Sequence, residues 1–500
     1  MGRTSPSKSN GPTRRAAFLA TAVAVIACIY VFARSEAAER VPTGSPPPLL
    51  RASGRHFIDR DGRVVLLRGV NLANDSKVPP FLPLSDPAEL DVLAHQGMNV
   101  IRLLFIWEAF EPTPGCYDDA YLGTLRAIAE AAWARGLYVI IDIHQDGFSR
   151  RLARGCGGGF PAWAISPRAR TRPPDNGCDC KNWVFHEVTD PNVHRSFADF
   201  FADTYGVRTR YLAMLDRIAG TFATVPGVIG YDPLNEPWGD EVKELLPLYR
   251  DAAAVLRARH PTAILFLAGH ATTGNGKQTR MPRPPIANFA YSPHYYTALV
   301  VVQNAWHGGT RAVDRGFATM GSKADEWGVP LFVGEFGLHA DARRAGDYIS
   351  LLYDRLDLVL ASGAQWNYTP HWNERTGDGW NGENYNIFTA SGAPRPNYRP
   401  RPFPRLVAGS PVLFQYHESA PPGGGPRLEF VWHHRPERGA TELFVPGSLF
   451  PPGSSLQVQP ADVSCRRDLA GHRLICRASQ ATMVRVILSA PGPDRSTRID

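Results

Sequence analysis

Two glutamates in this 500-residue chain stand directly behind apolar runs. Glu236 follows Val228–Pro233 within Asn235-Glu236-Pro237, and Glu335 closes Leu331–Gly334 within Gly334-Glu335-Phe336-Gly337. Two carboxyl groups flanking one bond are what glycoside hydrolysis requires: one protonates the departing oxygen, and the other attacks the anomeric carbon or activates water. Other polar and aromatic residues fall in the same kind of place. Asn71 follows Val64–Val70, Arg102 lies in Val100–Phe105, and Asp142 and His144 close Tyr138–Ile143. His294 and Tyr296 follow Ala287–Pro293, and Trp366 lies in Gln365–Tyr368. A lone polar residue behind a strand is ordinarily a satisfied core group. Their recurrence at the ends of successive apolar runs is the pattern of a site assembled from strand ends.

The elements that must position these residues are short apolar runs, with Ile264–Ala268 completing the set, alternating with amphipathic stretches such as Tyr121–Arg135, Arg210–Phe222, Glu241–His260 and Arg343–Ser362. Eight strands alternating with helices predict an α/β fold, a (β/α)8 TIM barrel over residues 53–400. A doubly wound sheet is disfavoured because no glycine-rich turn follows the first strand. From about Pro400 the chain turns rich in Pro and Gly, with short strands at Leu428–Trp432, Glu442–Val445, Leu456–Gln459 and Met483–Leu488. That spacing predicts a small antiparallel β-sandwich over 401–500.

Composition narrows the function classes. Hydrophobic residues make up 44% and charged residues 20%, a folded rather than disordered profile. The net charge of +7 is not organised into a basic helix, a zinc-finger spacing or a Walker loop, so no nucleic-acid partner is expected. Arg14 and Arg15, ending the n-region 1–15, precede an uncharged run over 16–33, which has the form of a cleaved signal or a retained anchor, followed by a linker over 34–52. Val25-Ile26-Ala27-Cys28 offers a lipoprotein alternative. Each reading exports the rest of the chain to a periplasmic or extracellular compartment. Six further cysteines, Cys116, Cys156, Cys178, Cys180, Cys465 and Cys476, agree with export and disulfide formation. Cys465 with Cys476 is the simplest pair, and Cys156 with Cys178 or Cys180 would close a long loop. That loop, Asp146–Pro191, lacks periodicity and carries glycines, cysteines and aromatics, so it is read either as a cleft wall or as a self-packed excursion.

The segments Tyr231–Pro237 (YDPLNEP), Ser292–Tyr296 (SPHYY) and Val333–Gly337 (VGEFG) resemble glycoside hydrolase family five, a group of retaining barrel enzymes, over roughly residues 55–400. Asn74–Pro80 (NDSKVPP), Ile141–Asp146 (IDIHQD) and Pro161–Ala164 (PAWA) are similar to the endoglycoceramidases of that family. The resemblance implies that Lys77, Asp142 and His144 bind the first sugar. The residues themselves give Glu236 the acid/base role and Glu335 the nucleophile role, with Arg102 and Tyr296 supporting Glu335. Asn235 would bind the sugar 2-hydroxyl, Trp366 would form the floor, and His294 would support Glu236. No metal or organic cofactor is required. The expected partners are a glycolipid or oligosaccharide and a membrane surface. Trp107, Phe110, Phe148, Trp163, Trp183, Trp238 and Trp306 are candidates for an apolar channel. The alternatives are a glucosylceramidase or steryl β-glucosidase, a β-glucanase or mannanase on soluble glycans, and a non-catalytic glycolipid-binding protein.

Overall fold

The computed structural model describes residue 2 and residues 49–491, apart from 73, 175–179, 181–182 and 420–423. The segment 16–33, Cys28 and Cys178 lie outside the described residues. Among the described residues, no helix is long and apolar enough to cross a membrane.

Strands β1 (Arg68–Leu72), β2 (Val100–Phe105), β3 (Tyr138–Ile143), β4 (Val228–Asp232), β5 (Ile264–Leu267), β6 (Phe289–Tyr291), β7 (Phe332–Val333) and β8 (Ser362–Tyr368) form one parallel sheet, in the order β7-β8-β1-β2-β3-β4-β5-β6. A parallel bridge between Tyr291 and Leu331 brings β6 to β7 and closes the barrel. Apart from Tyr138, every residue in these strands is buried. Helices on the outer face and side chains within the barrel cover both surfaces, which is why the strands read as continuous apolar runs rather than alternating ones. The helices Asp119–Ala134, Val207–Phe222, Leu246–Arg259, Arg311–Trp327 and Ala345–Leu358 supply much of that outer layer. Asp118 caps the first of them by accepting the Tyr121 N–H, and Gly328, at φ 65°, ends the fourth.

One end of the barrel is plugged. Leu50 and Phe57, from the hairpin Leu50–Ser53/His56–Asp59, join Val100, Ile140, Ile264, Phe266 and Phe332 in an inner cluster, with Phe57 and Phe266 ring centroids 5.9 Å apart. The other end, where the strands finish, is left to the polar residues.

The single strand expected over Val64–Val70 is two strands in two sheets. Val64–Val65 pairs antiparallel with Phe403–Val407, and β1 begins only at Arg68. An unbroken apolar run fixes burial but carries no mark of where the pairing partner changes. Through Val64–Val65 the hairpin enters a seven-stranded sheet with Phe403–Val407, Thr441–Phe444, Arg473–Arg477 and Ser464–Asp468. A four-stranded sheet of Gly409–His417, Arg427–His434, Thr482–Ser489 and Ser455–Gln459 shares a core with it, built on Phe414, Phe430, Trp432, Leu474 and Val486. The C-terminal β domain is therefore completed by strands that precede the barrel. Cys465 and Cys476 sit opposite one another on paired strands and are disulfide-bonded.

Candidate active site

Residues i and i+2 of a strand share a face, so Asp142 and His144 at the end of β3 point the same way, and Asp146 continues the series into the loop. Across the barrel Arg102, fully buried on β2, gathers five polar residues from four other strand ends. Its Nη1 donates to Asn71 Oδ1 (2.9 Å) and Glu335 Oε1 (2.8 Å). Its Nη2 donates to Asp142 Oδ1 (2.8 Å), Asp232 Oδ2 (2.9 Å) and Asn235 Oδ1 (2.8 Å). Burial opposes the guanidinium charge, but Asp142, Asp232 and Glu335 overcome it and raise its pKa above the usual range. Asn71 is fixed in turn by donating to the carbonyls of Gly334 (2.9 Å) and Ala364 (3.3 Å).

Glu335 receives a second donor on its other oxygen, Tyr296 Oη at 3.0 Å. Burial, then the charge of Glu335, pushes the Tyr296 hydroxyl well above its ordinary pKa, so it stays a donor. Glycine is needed just before Glu335: a Cβ at Gly334 would lie 2.9 Å from His294 Nε2 and 3.0 Å from Ser292 Oγ.

His294 connects the two glutamates. Its Nδ1 lies 2.8 Å from Glu236 Oε1 and 3.5 Å from Glu335 Oε2. Burial favours the neutral ring, but Glu335 and Glu236 outweigh it and raise the His294 pKa. One atom each from Glu236, His294 and Glu335 lie within 4.8 Å of one another. Oxygens this near are compatible with the roughly 5–5.5 Å between carboxyl groups in retaining sites. Glu236 takes up φ 39°, a left-handed conformation uncommon outside glycine, and strain of this kind concentrates at functional sites. Gln145 holds the strained segment by donating from Nε2 to the carbonyls of Asn235 (2.8 Å) and Glu236 (3.1 Å).

A chain of alternating charges runs from Asp142 to Lys77. His144 Nδ1 is 2.7 Å from Asp142 Oδ2, its Nε2 is 3.2 Å from Asp146 Oδ2, and Lys77 Nζ donates to the same oxygen at 2.8 Å. Burial would hold His144 neutral, yet Asp142 and Asp146 push its pKa up to about 9, so both ring nitrogens donate at neutral pH. Burial also favours a protonated Asp146, but Lys77 and His144 hold its carboxyl well below the usual range. Lys77 Nζ lies 3.9 Å from the ring centroid of Trp380 and 4.5 Å from that of Trp366. Trp366 in turn stacks on His144, with centroids 5.6 Å apart. Asp142 is wholly enclosed between Arg102 and His144, so it acts by orienting those two groups.

Sequence reasoning missed Glu383, Trp380 and Glu187. Glu383 accepts from Trp183 Nε1 at 3.1 Å and Trp366 Nε1 at 3.3 Å, tying the loop after β8 to the loop after β3. It sits in irregular sequence after β8, where no period marks a strand end. The channel assignment needs correction for four aromatics. Trp107, Phe110, Phe148 and Trp306 are buried in the main core, Phe148 stacking on Phe160 with centroids 4.1 Å apart. An aromatic residue in a loop carries no sequence mark separating a pocket wall from a plug. Trp163, Trp183 and Trp238 keep partial exposure. The loop itself is stapled by Cys156–Cys180, and Cys116 is disulfide-bonded as well.

Known proteins give this geometry a context. The family model for cellulase (glycosyl hydrolase family 5) matches residues 58–371. Endoglycoceramidase I of Rhodococcus hoagii is 31% identical over 274 residues, covering 50% of this chain and 54% of that one, so the chain spans about half the length of this curated relative. A glucosylceramidase of Rhizopus delemar is 36% identical over 145 residues, covering 23% of this chain and 21% of its own. Among solved structures, endo-glycoceramidase II from Rhodococcus sp. in complex with ganglioside GM3 superposes with a TM-score of 0.73 at 24% identity, covering 88% of this chain and 100% of that one. The same enzyme captured as a lactosyl-enzyme intermediate gives 0.69 at 25% identity, over 88% and 100% of the two chains.

Proposed function

The chain belongs to glycosyl hydrolase family 5, and from that footing we propose that it is a retaining β-glycosidase cleaving the bond between the glycan and the ceramide of glycosphingolipids. The observation that carries the reading is the pair Glu236 and Glu335, with carboxylate oxygens inside 4.8 Å and His294 between them. Glu335, set by Arg102 and Tyr296, attacks the anomeric carbon and forms a glycosyl ester. Glu236 gives its proton to the departing ceramide oxygen. In the second half, Glu236 takes a proton from water as that water displaces Glu335, and the sugar leaves with its anomeric configuration retained. Asn235 reaches the 2-hydroxyl, where contacts strengthen in the transition state, and Trp366 supports the ring from below. Lys77, Asp146 and His144 serve the sugar hydroxyls away from the scissile bond.

The lipid half of the proposal draws support from the relatives, whose names carry ceramide glycosides as substrates. Disulfides and the apolar N-terminal run support export and residence at a membrane surface. The test is a substrate panel in detergent: glucosylceramide, lactosylceramide, a ganglioside, galactosylceramide and a steryl glucoside, with a cello-oligosaccharide as the soluble control. Release of ceramide is expected, and the preferred headgroup separates oligosaccharide from single-sugar action. Turnover of the cello-oligosaccharide alone would keep the barrel chemistry and remove the lipid.

A further inference from the structure

Within the stapled loop, the short helix Trp183–Thr189 has an inverted pattern. Val184, Phe185 and Val188 are 53%, 64% and 47% exposed, while Glu187 is only 4% exposed. Burying a carboxyl group is unfavourable unless something binds it. A single oxygen of Glu187, Oε1, accepts two hydrogen bonds, from the Gly147 backbone N–H at 2.9 Å and from Trp238 Nε1–H at 2.8 Å. These donors come from the two halves of the site. Gly147 follows Asp146, which holds Lys77 and His144, and Trp238 follows Glu236 by two residues.

The acid/base depends on such anchoring. The Glu236 side chain is tied to His294, and its backbone sits at φ 39°. Gln145 pins the carbonyls of Asn235 and Glu236 on the near side of that strained residue. On the far side the Trp238 indole stands edge-on between His194 and His270, at 4.9 Å and 5.0 Å, with its N–H held by Glu187. We propose that Glu187 is a positioning residue for the acid/base, clamping Trp238 to the sugar-binding loop so that Glu236 is aimed at the leaving-group oxygen. The disulfide-stapled excursion then has a function beyond its own packing: it carries this clamp beneath the leaving-group side of the cleft. Burial, reinforced by the charges of Asp146 and Glu236, pushes the Glu187 carboxyl up to about 8, so at neutral pH it clamps without adding a third negative charge beside the acid.

This inference rests on the hydrolase reading, and the leaving group supplies the test. A dinitrophenyl β-glucoside needs no proton to depart, whereas ceramide or an alkyl alcohol does. Glu187→Ala should lower kcat/KM on glucosylceramide by about 10- to 100-fold, the scale of a misplaced catalytic group. It should change glycosylation by the dinitrophenyl glucoside by less than about 3-fold, because no general acid is used. Glu187→Gln, a neutral isostere that keeps the acceptor oxygen, should stay near the parent on both. Equal losses on the two substrates, or no loss on the lipid, would overturn the proposal, and a thermal melt of each variant guards against unfolding. A parent that cleaves the dinitrophenyl glucoside but not the glycolipid would refute the lipid assignment alone. The comparison is then made with an alkyl β-glucoside, whose leaving group needs the same proton.

Discussion

The two glutamates are held in opposite ways. Glu335 is 5% exposed, fixed on both oxygens by Arg102 and Tyr296, and placed by β7 in the rigid wall of the barrel. Glu236 has a side chain 22% exposed, is joined to His294, and is aimed through clamps on its backbone. The difference follows from their tasks. A nucleophile must present one oxygen to one carbon along one line, which rewards donors on every side. An acid/base must release a proton, recover one from water and tolerate two leaving groups in turn, which requires an open face.

Substitutions can break that asymmetry or sharpen it. The largest effect belongs to Glu335→Gln, expected to lose on the order of 10⁴-fold or more in kcat on good and poor leaving groups alike. Glu236→Ala should lose about 10²- to 10⁴-fold on the glycolipid. With a dinitrophenyl glucoside it should instead give a rapid burst followed by slow turnover, since only deglycosylation then needs the missing base. Stopped-flow release of dinitrophenol separates the two variants, and matching behaviour in both would erase the division of roles.

The smallest effect is in stability against pH. Glu187 has an ordinary pKa of 4.5 and about 8 when folded, with Asp146 and Glu236 as the charges that face it and His194 and His270 flanking its Trp238 partner. A raised folded pKa means the folded state binds the proton more tightly. Its contribution is therefore full below about pH 4.5 and is lost as pH rises towards about 8. Thermal melts across that window should show a decline in the parent that is flatter in Glu187→Gln, and parallel curves would refute the neutral form.

The barrel and its strand-end residues were legible in the sequence for one physical reason. Parallel strands buried on both faces must be apolar throughout, so a Glu, His or Arg at or behind such a run announces itself. That signal stops where periodicity stops. Glu383 lies past β8 and Glu187 in the stapled loop, and each finds its partners only after distant segments meet. Trp107 and Phe148 failed as channel residues because burial in irregular sequence leaves no local trace. The split of Val64–Val70 between two sheets was hidden by its uniform hydrophobicity.

The most direct test of the central claim is covalent trapping. The protein would be incubated with dinitrophenyl 2-deoxy-2-fluoro-β-glucoside, whose fluorine slows both steps while its dinitrophenolate leaving group keeps formation of the glycosyl ester far faster than its hydrolysis, and the digested product read by mass spectrometry. The account predicts one fluorosugar esterified to the peptide bearing Glu335, with none on Glu335→Gln. A label on another carboxylate, or no label together with a product of inverted anomeric configuration, would contradict it.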